Sequence, residues 1–399
     1  MGNDSIDKDK AVPTRSKSGK IKRLLFWCFM VIIPLVIMEL FSFTYIQLTS
    51  KKGTYRDRMN HVDNPYHPYL GYVHAPNSTY EITKAISKPT SLKTNENGYS
   101  ITPSFSYENP DMTIVVTGGS TIFGVGSSDN SSTVPSILER LINQRLSIRI
   151  EVINLALRGA QSFQEMLLVD RFFAEKKADL VLAISGRNDA NQAFAEPTVE
   201  GTFLKKQIWD NAVSLVHRAE RGEFMLINIE HRLRLWSYTF DLLYRKITSR
   251  SGKAPLAAAS KLNLRREASL TIKNRAKITS THFSAADQIS KMNGATFVMF
   301  LQPTLYTKNY WTDQEFRRMK SKNWSDEIIQ KHRDNEREFY NAFRETEKPF
   351  QFIDLADIFS NSNETLYIDY CHYNDVAAEK FAEKIFDSIQ PILHTIGRG

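Results

Sequence analysis

The stretch that most constrains the fold is residues 113–122, which read Thr-Ile-Val-Val-Thr-Gly-Gly-Ser-Thr-Ile. An apolar, β-branched run leads into two glycines and Ser120, and apolar residues then recur at helical spacing from Val134 to Ile142. This order predicts a buried strand, a tight turn and a helix. Because open α/β sheets carry their chemistry at the carboxyl ends of strands, Ser120 becomes the first candidate catalytic residue. The alternative is an ordinary glycine-rich turn with a surface serine.

The same alternation of strand and helix patterns continues along the chain. Apolar runs predict strands at 113–117, 148–154, 179–185, 296–302 and 350–354. Helical spacing predicts helices at 132–146, 162–175, 270–293, 326–346 and 374–391. The pattern indicates an α/β fold with a mostly parallel five-stranded sheet and helices on both faces. Functional residues should therefore follow the ends of these strands.

A second group of polar residues fits a proton-transfer chain with Ser120. Asp369 and His372 are three residues apart in one turn, close enough for the carboxylate to orient the imidazole and stabilise its charged form. A serine hydroxyl becomes a good nucleophile when such a base takes its proton. An Asp-x-x-His pair alone is more often a surface hydrogen bond, so the prediction depends on its combination with Ser120.

Acyl transfer also needs hydrogen-bond donors for the oxyanion of its intermediate. Gly159 lies in the loop after the second predicted strand, and Asn188 follows the third strand within Gly186-Arg187-Asn188-Asp189. The amides of Ser120 and Gly159 and the side chain of Asn188 could converge from three strand ends. We expect Asp189 to have a supporting or capping role.

These blocks resemble those of the SGNH (GDSL) hydrolase family. Gly118-Gly119-Ser120 corresponds to the first block, Gly159 to the second, residues 186–189 to the third and residues 369–372 to the fifth. The resemblance implies a flavodoxin-like three-layer sandwich, a Ser120–His372–Asp369 triad and an oxyanion hole of Ser120, Gly159 and Asn188. No metal-ligand spacing appears in the sequence, and we expect neither a metal nor a cofactor. Gly119 departs from the family, which has Asp there. The Gly-Gly-Ser-Thr run and the segments at 70–72 and 97–99 also resemble a membrane-anchored bacterial branch that acts in the cell envelope.

The beginning of the chain predicts a membrane anchor. A polar, lysine-rich tail at 1–23 precedes residues 24–48, which are apolar except for Glu39 and long enough to cross a bilayer. Basic residues before the span predict a cytoplasmic N-terminus and a catalytic domain that is periplasmic or extracellular. A cleaved signal peptide is the alternative, but no small-x-small cleavage site follows the span. Residues 49–110 would pack along a sheet edge, and residues 111–396 would form the hydrolase domain.

An insertion at about 191–270 separates the third and fourth strands and is too long for an ordinary connection. The chain has a net charge of +8, and residues 201–280 hold sixteen Lys/Arg against six Asp/Glu. We expect a mostly helical lid or substrate platform that attracts an anionic glycan or membrane headgroups, or else a solvated basic surface. Nucleic acid is not an expected partner. The two cysteines, Cys28 and Cys371, are too far apart to suggest a disulfide framework.

The sequence thus predicts a membrane-anchored serine esterase that removes O-acyl groups, with acetyl favoured, from a cell-envelope carbohydrate or glycolipid. The same triad would serve a polysaccharide O-acetyltransferase, which would need a multi-span acyl-donor partner. A non-catalytic glycan-binding or assembly component is the third alternative.

Overall fold

The computed structural model describes residues 17–49, 64–82, 90–102, 109–192, 222–250, 271–320 and 324–396. Most of the N-terminal tail and large parts of the predicted insertion, at 193–221 and 251–270, lie outside the described residues. The chain divides into two compact units. One combines Met1–Val62 with Leu215–Ala257, and the other combines Asp63–Ser214 with Ala258–Gly399.

In chain order, the first described half contains helix α1 (Lys17–Thr49), strands β1 (Tyr66–His67), β2 (Gly71–Tyr72), β3 (Thr79–Ile82), β4 (Thr90–Lys93) and β5 (Met112–Gly118), helix α2 (Ser120–Phe123), a 3₁₀ turn (Asn130–Ser132), helix α3 (Val134–Leu146), strand β6 (Ile150–Asn154), helix α4 (Ser162–Glu175), strand β7 (Leu180–Ser185) and helix α5 (Arg187–Gln192). The second half contains helices α6 (Phe224–Trp236), α7 (Tyr238–Arg250) and α8 (Ile272–Met292), strand β8 (Thr296–Leu301), a 3₁₀ turn (Leu305–Thr307), helices α9 (Asp313–Lys320) and α10 (Asp326–Glu345), strand β9 (Gln351–Asp354) and helix α11 (Asp375–Ile396).

The larger unit contains a five-stranded sheet in the order β6-β5-β7-β8-β9, and every neighbouring pair is parallel. Counted within the sheet, this order is 2-1-3-4-5, which is the doubly wound order of flavodoxin-like folds. Each strand begins and ends within two residues of its predicted bounds. The predicted fold class is therefore confirmed.

Both faces of the sheet are covered by helices. Successive residues of a strand point to opposite faces, and in β5 Ile114 and Val116 join one hydrophobic cluster while Val115 joins the other. The first cluster includes apolar residues of α3 and α11, and the second includes residues of α4, α8 and α10. This arrangement produces three layers and explains why the central strands β5, β7 and β8 read as nearly continuous apolar runs.

The approach segment packs along the sheet edge formed by β6, as predicted. Ser100 forms an isolated antiparallel bridge with Asn154, and the Thr102 hydroxyl donates to the Val152 carbonyl oxygen at 2.7 Å. These contacts cover hydrogen-bonding groups that an edge strand would otherwise expose.

The smaller unit contains α1, α6 and α7. The stretch Leu25–Thr49 of α1 is 25 residues long and apolar enough to cross a membrane. Glu39 accepts hydrogen bonds from the backbone N–H groups of Tyr238 at 2.8 Å and Thr239 at 3.3 Å, and from the Ser237 hydroxyl. The sequence predicts α6 and α7 as part of an insertion in the hydrolase domain, whereas in the structure they belong to the unit that contains α1.

Candidate active site

Ser120 lies where strand β5 ends against its neighbour β7. Gly118 has a φ of +158°, and a Cβ at this position would lie 2.7 Å from the Ile184 carbonyl oxygen. Only glycine therefore allows the strand to end so close to β7. Ser120 follows two residues later as the first residue of α2, at the carboxyl end of the sheet.

The structure brings Ser120, His372 and Asp369 into one hydrogen-bonded chain. Ser120 Oγ lies 2.7 Å from His372 Nε2. His372 Nδ1 lies 2.9 Å from Asp369 Oδ2 and 3.0 Å from Asp369 Oδ1. This is the arrangement in which an imidazole can take a proton from a serine while a carboxylate fixes its tautomer.

A tight turn holds the Asp-x-x-His pair in place. Asp369 Oδ1 accepts the backbone N–H groups of Cys371 and His372, each at 3.0 Å. The backbone N–H of Ile368 donates to the His372 carbonyl oxygen at 2.9 Å, which closes the turn. These backbone donors fix the orientation of the Asp369 carboxylate, so little further ordering is needed for it to hydrogen-bond the imidazole.

The electrostatics of the pair favour a charged imidazole. Burial alone lowers the pKa of His372, but the Asp369 carboxylate and Cys371 raise it, and the net pKa lies above its usual value. Burial alone raises the pKa of Asp369, but the attraction of His372 and the hydrogen bonds around the carboxylate hold it below its usual value. The pair therefore stabilises the imidazolium that forms when the base accepts a proton.

The predicted oxyanion donors come from segments that contact one another. The Leu157 N–H donates to the Gly118 carbonyl oxygen at 3.0 Å, and Asn188 Nδ2 donates to the Ala160 carbonyl oxygen at 2.6 Å. Gly159 lies between these two anchoring points. A Cβ on Gly119 would come within 2.4 Å of Asn188 Nδ2, so the amide packs directly against the backbone that precedes Ser120. The oxyanion role of these groups stays a prediction.

The approach segment supports the loop that contains Gly159. The Tyr72 hydroxyl donates to the Arg158 carbonyl oxygen at 2.8 Å, and Gln164 Nε2 donates to the Leu70 carbonyl oxygen at 2.7 Å. Leu70 and Tyr72 also form a small buried cluster with Leu157. The sequence predicted packing of this segment at the sheet edge but not its contact with this loop.

The residues on either side of Asn188 are both buried. Arg187 Nη1 lies 2.9 Å from Glu336 Oε2, and its guanidinium lies 4.7 Å from the centroid of the Tyr370 ring. Asp189 accepts the backbone N–H of Ser162 at 2.9 Å and the Ser162 hydroxyl at 2.6 Å, at the start of α4. Asn188 is therefore held between two anchored side chains, and Asp189 has the supporting position that the sequence predicted.

A buried acid that the sequence analysis missed lies under the strand ends. Glu165 accepts hydrogen bonds from the Thr117 hydroxyl at 3.0 Å and the Ser185 hydroxyl at 2.5 Å. Burial raises the pKa of Glu165 to about 8, even though these hydrogen bonds act in the opposite direction. The available sequence signal for this buried acid was the pair of polar residues Thr117 and Ser185 at the ends of two apolar strands.

Among the described residues, Asp369, Cys371 and His372 are the group whose composition could suit a metal, since their ligand atoms lie within 4.8 Å of one another. The imidazole nitrogens already face Ser120 and Asp369, however, and Cys371 Sγ lies 3.8 Å from Nδ1. The hydrogen bonds among Ser120, His372 and Asp369 explain why these ligand atoms lie close together. While those hydrogen bonds are intact, the residues do not fit a metal. Cys371 is buried, as expected of a packing residue.

Neither a family model nor a curated protein sequence matches the chain. Several solved structures are similar to it. An acetyl xylan esterase has 11% sequence identity and a TM-score of 0.34, with 70% of this chain and 100% of that chain covered. A family 3 carbohydrate esterase of Clostridium thermocellum has 13% identity and a TM-score of 0.35, with 72% and 98% covered. A psychrotrophic esterase of a Pseudoalteromonas species has 12% identity and a TM-score of 0.32, with 71% and 98% covered.

Similarities of this size decide neither an activity nor a substrate, so the assignment depends on the residues and geometry of the chain itself. The sheet order and the contact of Ser120 with a His372–Asp369 pair are the two features that the sequence resemblance implied. In both, the chain resembles the SGNH (GDSL) hydrolases.

Proposed function

We propose that the chain is a serine esterase that transfers the acyl group of its substrate first to Ser120 and then to water. The observation that carries this proposal is the 2.7 Å contact between Ser120 Oγ and His372 Nε2, with Asp369 bonded to the other ring nitrogen. A serine in this position has the base that its weak hydroxyl nucleophile needs.

The reaction would proceed in two steps. Ser120 Oγ attacks the ester carbonyl carbon while His372 takes the hydroxyl proton, and the oxyanion forms near the amides of Ser120 and Gly159 and the Asn188 side chain. Collapse of this intermediate breaks the ester bond, and His372 returns the proton to the departing alcohol. Water then attacks the acyl-serine with His372 again as base, and the carboxylic acid leaves.

We propose an O-acetyl carbohydrate or glycolipid of the cell envelope as the substrate, because the Gly-Gly-Ser-Thr run resembles the envelope branch of the SGNH hydrolases. The test compares acetate release from an O-acetylated polysaccharide with hydrolysis of 4-nitrophenyl esters of increasing chain length. We expect acetate release that Ser120→Ala abolishes. Equal release by the wild type and Ser120→Ala would contradict the proposal.

The same experiment separates the alternatives. With an added acceptor glycan, a hydrolase releases free acetate, whereas an O-acetyltransferase places the acetyl group on the glycan. A glycan-binding component would release no acetate and form no acyl-enzyme. We propose hydrolysis, and acetyl transfer to the glycan in preference to water would replace it with the transferase assignment.

We also propose that α1 is a retained single-pass anchor with a cytoplasmic N-terminus and a periplasmic or extracellular catalytic domain. Glu39 accepts hydrogen bonds from Tyr238 and Thr239, which are far from it in sequence. A cleaved signal peptide would leave these donors without their acceptor. The intact mass of the protein purified from membranes tests this, because a mature chain that lacks residues 24–48 would contradict it.

A further inference from the structure

Helices α6 and α7 expose a stripe of large apolar side chains. Within α6 these residues recur three or four positions apart, which places them on one face of the helix, and two more lie one turn apart on α7. We call this set the apolar stripe: Met225, Leu226, Ile229, Leu233, Trp236, Leu243 and Ile247. Trp236 is 84% exposed and Met225 is 73% exposed. Exposed apolar side chains gathered on one helix face mark an interaction site.

The start of α7 is fixed to the apolar helix α1. Glu39 accepts the N–H groups of Tyr238 and Thr239, and the Thr239 hydroxyl donates to Ser42 Oγ at 3.1 Å. The rings of Phe43 and Tyr238 lie 4.9 Å apart, centroid to centroid. The position of α1 in a membrane would therefore determine the depth of α7.

That depth can be worked out from the sequence of α1. With Lys22 and Arg23 at the cytoplasmic boundary, a hydrocarbon core of about 30 Å holds about twenty helical residues, from Leu24 to about Phe43. Glu39 then lies four residues, or about 6 Å, inside the outer boundary. A carboxylate at this level is unfavourable unless it is paired, and the N–H groups at the start of α7 pair it.

We propose that α6 and α7 lie in the outer interfacial layer of the membrane that α1 crosses, with the apolar stripe among the acyl chains. This inference rests on the proposal that α1 is a retained membrane anchor. Lipid is the favoured occupant because the stripe belongs to the same unit as α1, whose own apolar side chains are exposed over most of its length. The exposed side chains of Arg232 and Lys246 on these helices suit anionic headgroups.

This placement of α6 and α7 changes how the hydrolase domain is connected to the membrane. Both ends of the segment that contains α6 and α7 continue into that domain in the sequence. The domain would then be connected to the membrane by three chain segments, whereas α1 alone would provide one.

The test uses single-cysteine variants of the full chain, made after replacement of Cys28 and Cys371 and labelled with an environment-sensitive fluorophore. Leu233→Cys and Leu243→Cys report on the stripe, Ile33→Cys is the lipid reference in α1, and Met292→Cys, at a position that is 85% exposed, is the water reference. Each protein is reconstituted alone in vesicles of phosphatidylcholine and phosphatidylglycerol. Quenching is measured with spin-labelled lipid and with aqueous iodide.

We expect probes at 233 and 243 to be quenched by lipid as strongly as the probe at 33 and to be shielded from iodide relative to the probe at 292. Iodide quenching at 233 and 243 equal to that at 292 would overturn the inference while leaving the anchor intact. Shielding from both quenchers would mean that protein covers the stripe, and would also overturn it. If the probe at 33 also behaves like the probe at 292, the anchor itself is wrong.

Discussion

Gly119→Ala is the substitution whose effect on catalysis follows most directly from the structure. Gly119 has φ −89° and ψ −157°, which alanine adopts without strain. Its new Cβ, however, would lie 2.4 Å from Asn188 Nδ2, whereas ordinary contact begins near 3.4 Å. The amide must therefore move by about 1 Å. Displacement of that size, or loss of one oxyanion donor, lowers kcat/KM by about 10²-fold or more.

The assay is hydrolysis of an activated acetate ester by the full chain in detergent, with the unfolding midpoint of each variant measured in parallel. Asn188→Ala and the double variant complete a mutant cycle. If Gly119→Ala acts through Asn188, the double variant should be no slower than Asn188→Ala. Full activity of Gly119→Ala, or two losses that multiply in the double variant, would contradict this prediction.

Three further predictions concern the titrating and charged groups. Neutral His372 is the active base and Asp369 raises its pKa, so the kcat/KM of the wild type should rise with pH, with a midpoint above 6.5. In Asp369→Asn this midpoint should fall and kcat/KM should drop by up to about 10⁴-fold. A pH profile of Asp369→Asn that matches the wild type would contradict this prediction. Because burial raises the pKa of Glu165 from 4.5 to about 8, the folded state keeps a proton that the unfolded state loses, and the free energy of unfolding should fall by about 3.5 kcal/mol between pH 5 and pH 8. Urea unfolding should show this fall in the wild type and much less of it in Glu165→Gln. An equal change in the free energy of unfolding with pH in both proteins would count against a buried, protonated Glu165. Glu39→Leu should destabilise the start of α7 by about 1 kcal/mol and speed its amide hydrogen exchange, whereas Glu39→Gln, which keeps one acceptor oxygen, should stay closer to the wild type.

The centre of the sheet was predictable because strands β5, β7 and β8 are buried on both faces. The runs 114–116 and 180–184 are apolar at every position, and the helices between the strands have a clear apolar face. The Asp369–His372 contact was also predictable, because a spacing of three residues in one turn is a local constraint. Parallel topology then places Ser120 at the same end of the sheet.

Other contacts that hold the site come from residues that are distant in sequence, and periodicity carries no information about them. Glu336 reads as an ordinary charged position of an amphipathic helix, yet it pairs with buried Arg187 beside Asn188. Tyr72 reads as part of a loop, yet it holds the carbonyl of Arg158 next to Gly159. Such pairings depend on how the layers stack, which a single sequence does not encode locally.

Glu39 shows the same limit in the smaller unit. In the sequence it is a charge that makes a membrane span less favourable, and no neighbour within a helical turn offers an opposite charge. The structure supplies its donors from the break between α6 and α7. The residue that weakens the sequence prediction of an anchor therefore also helps to join α1 to the rest of its unit.

The most direct test of Ser120 as the nucleophile is the mass of the full chain after treatment with a fluorophosphonate, which reacts with serines activated by a neighbouring base. We expect one adduct on the wild type, located on Ser120 by peptide mapping. We expect no adduct on Ser120→Ala and much slower labelling of His372→Ala. An adduct on Ser120→Ala as fast as on the wild type, or none on a folded wild type, would contradict the assignment of Ser120 as the nucleophile.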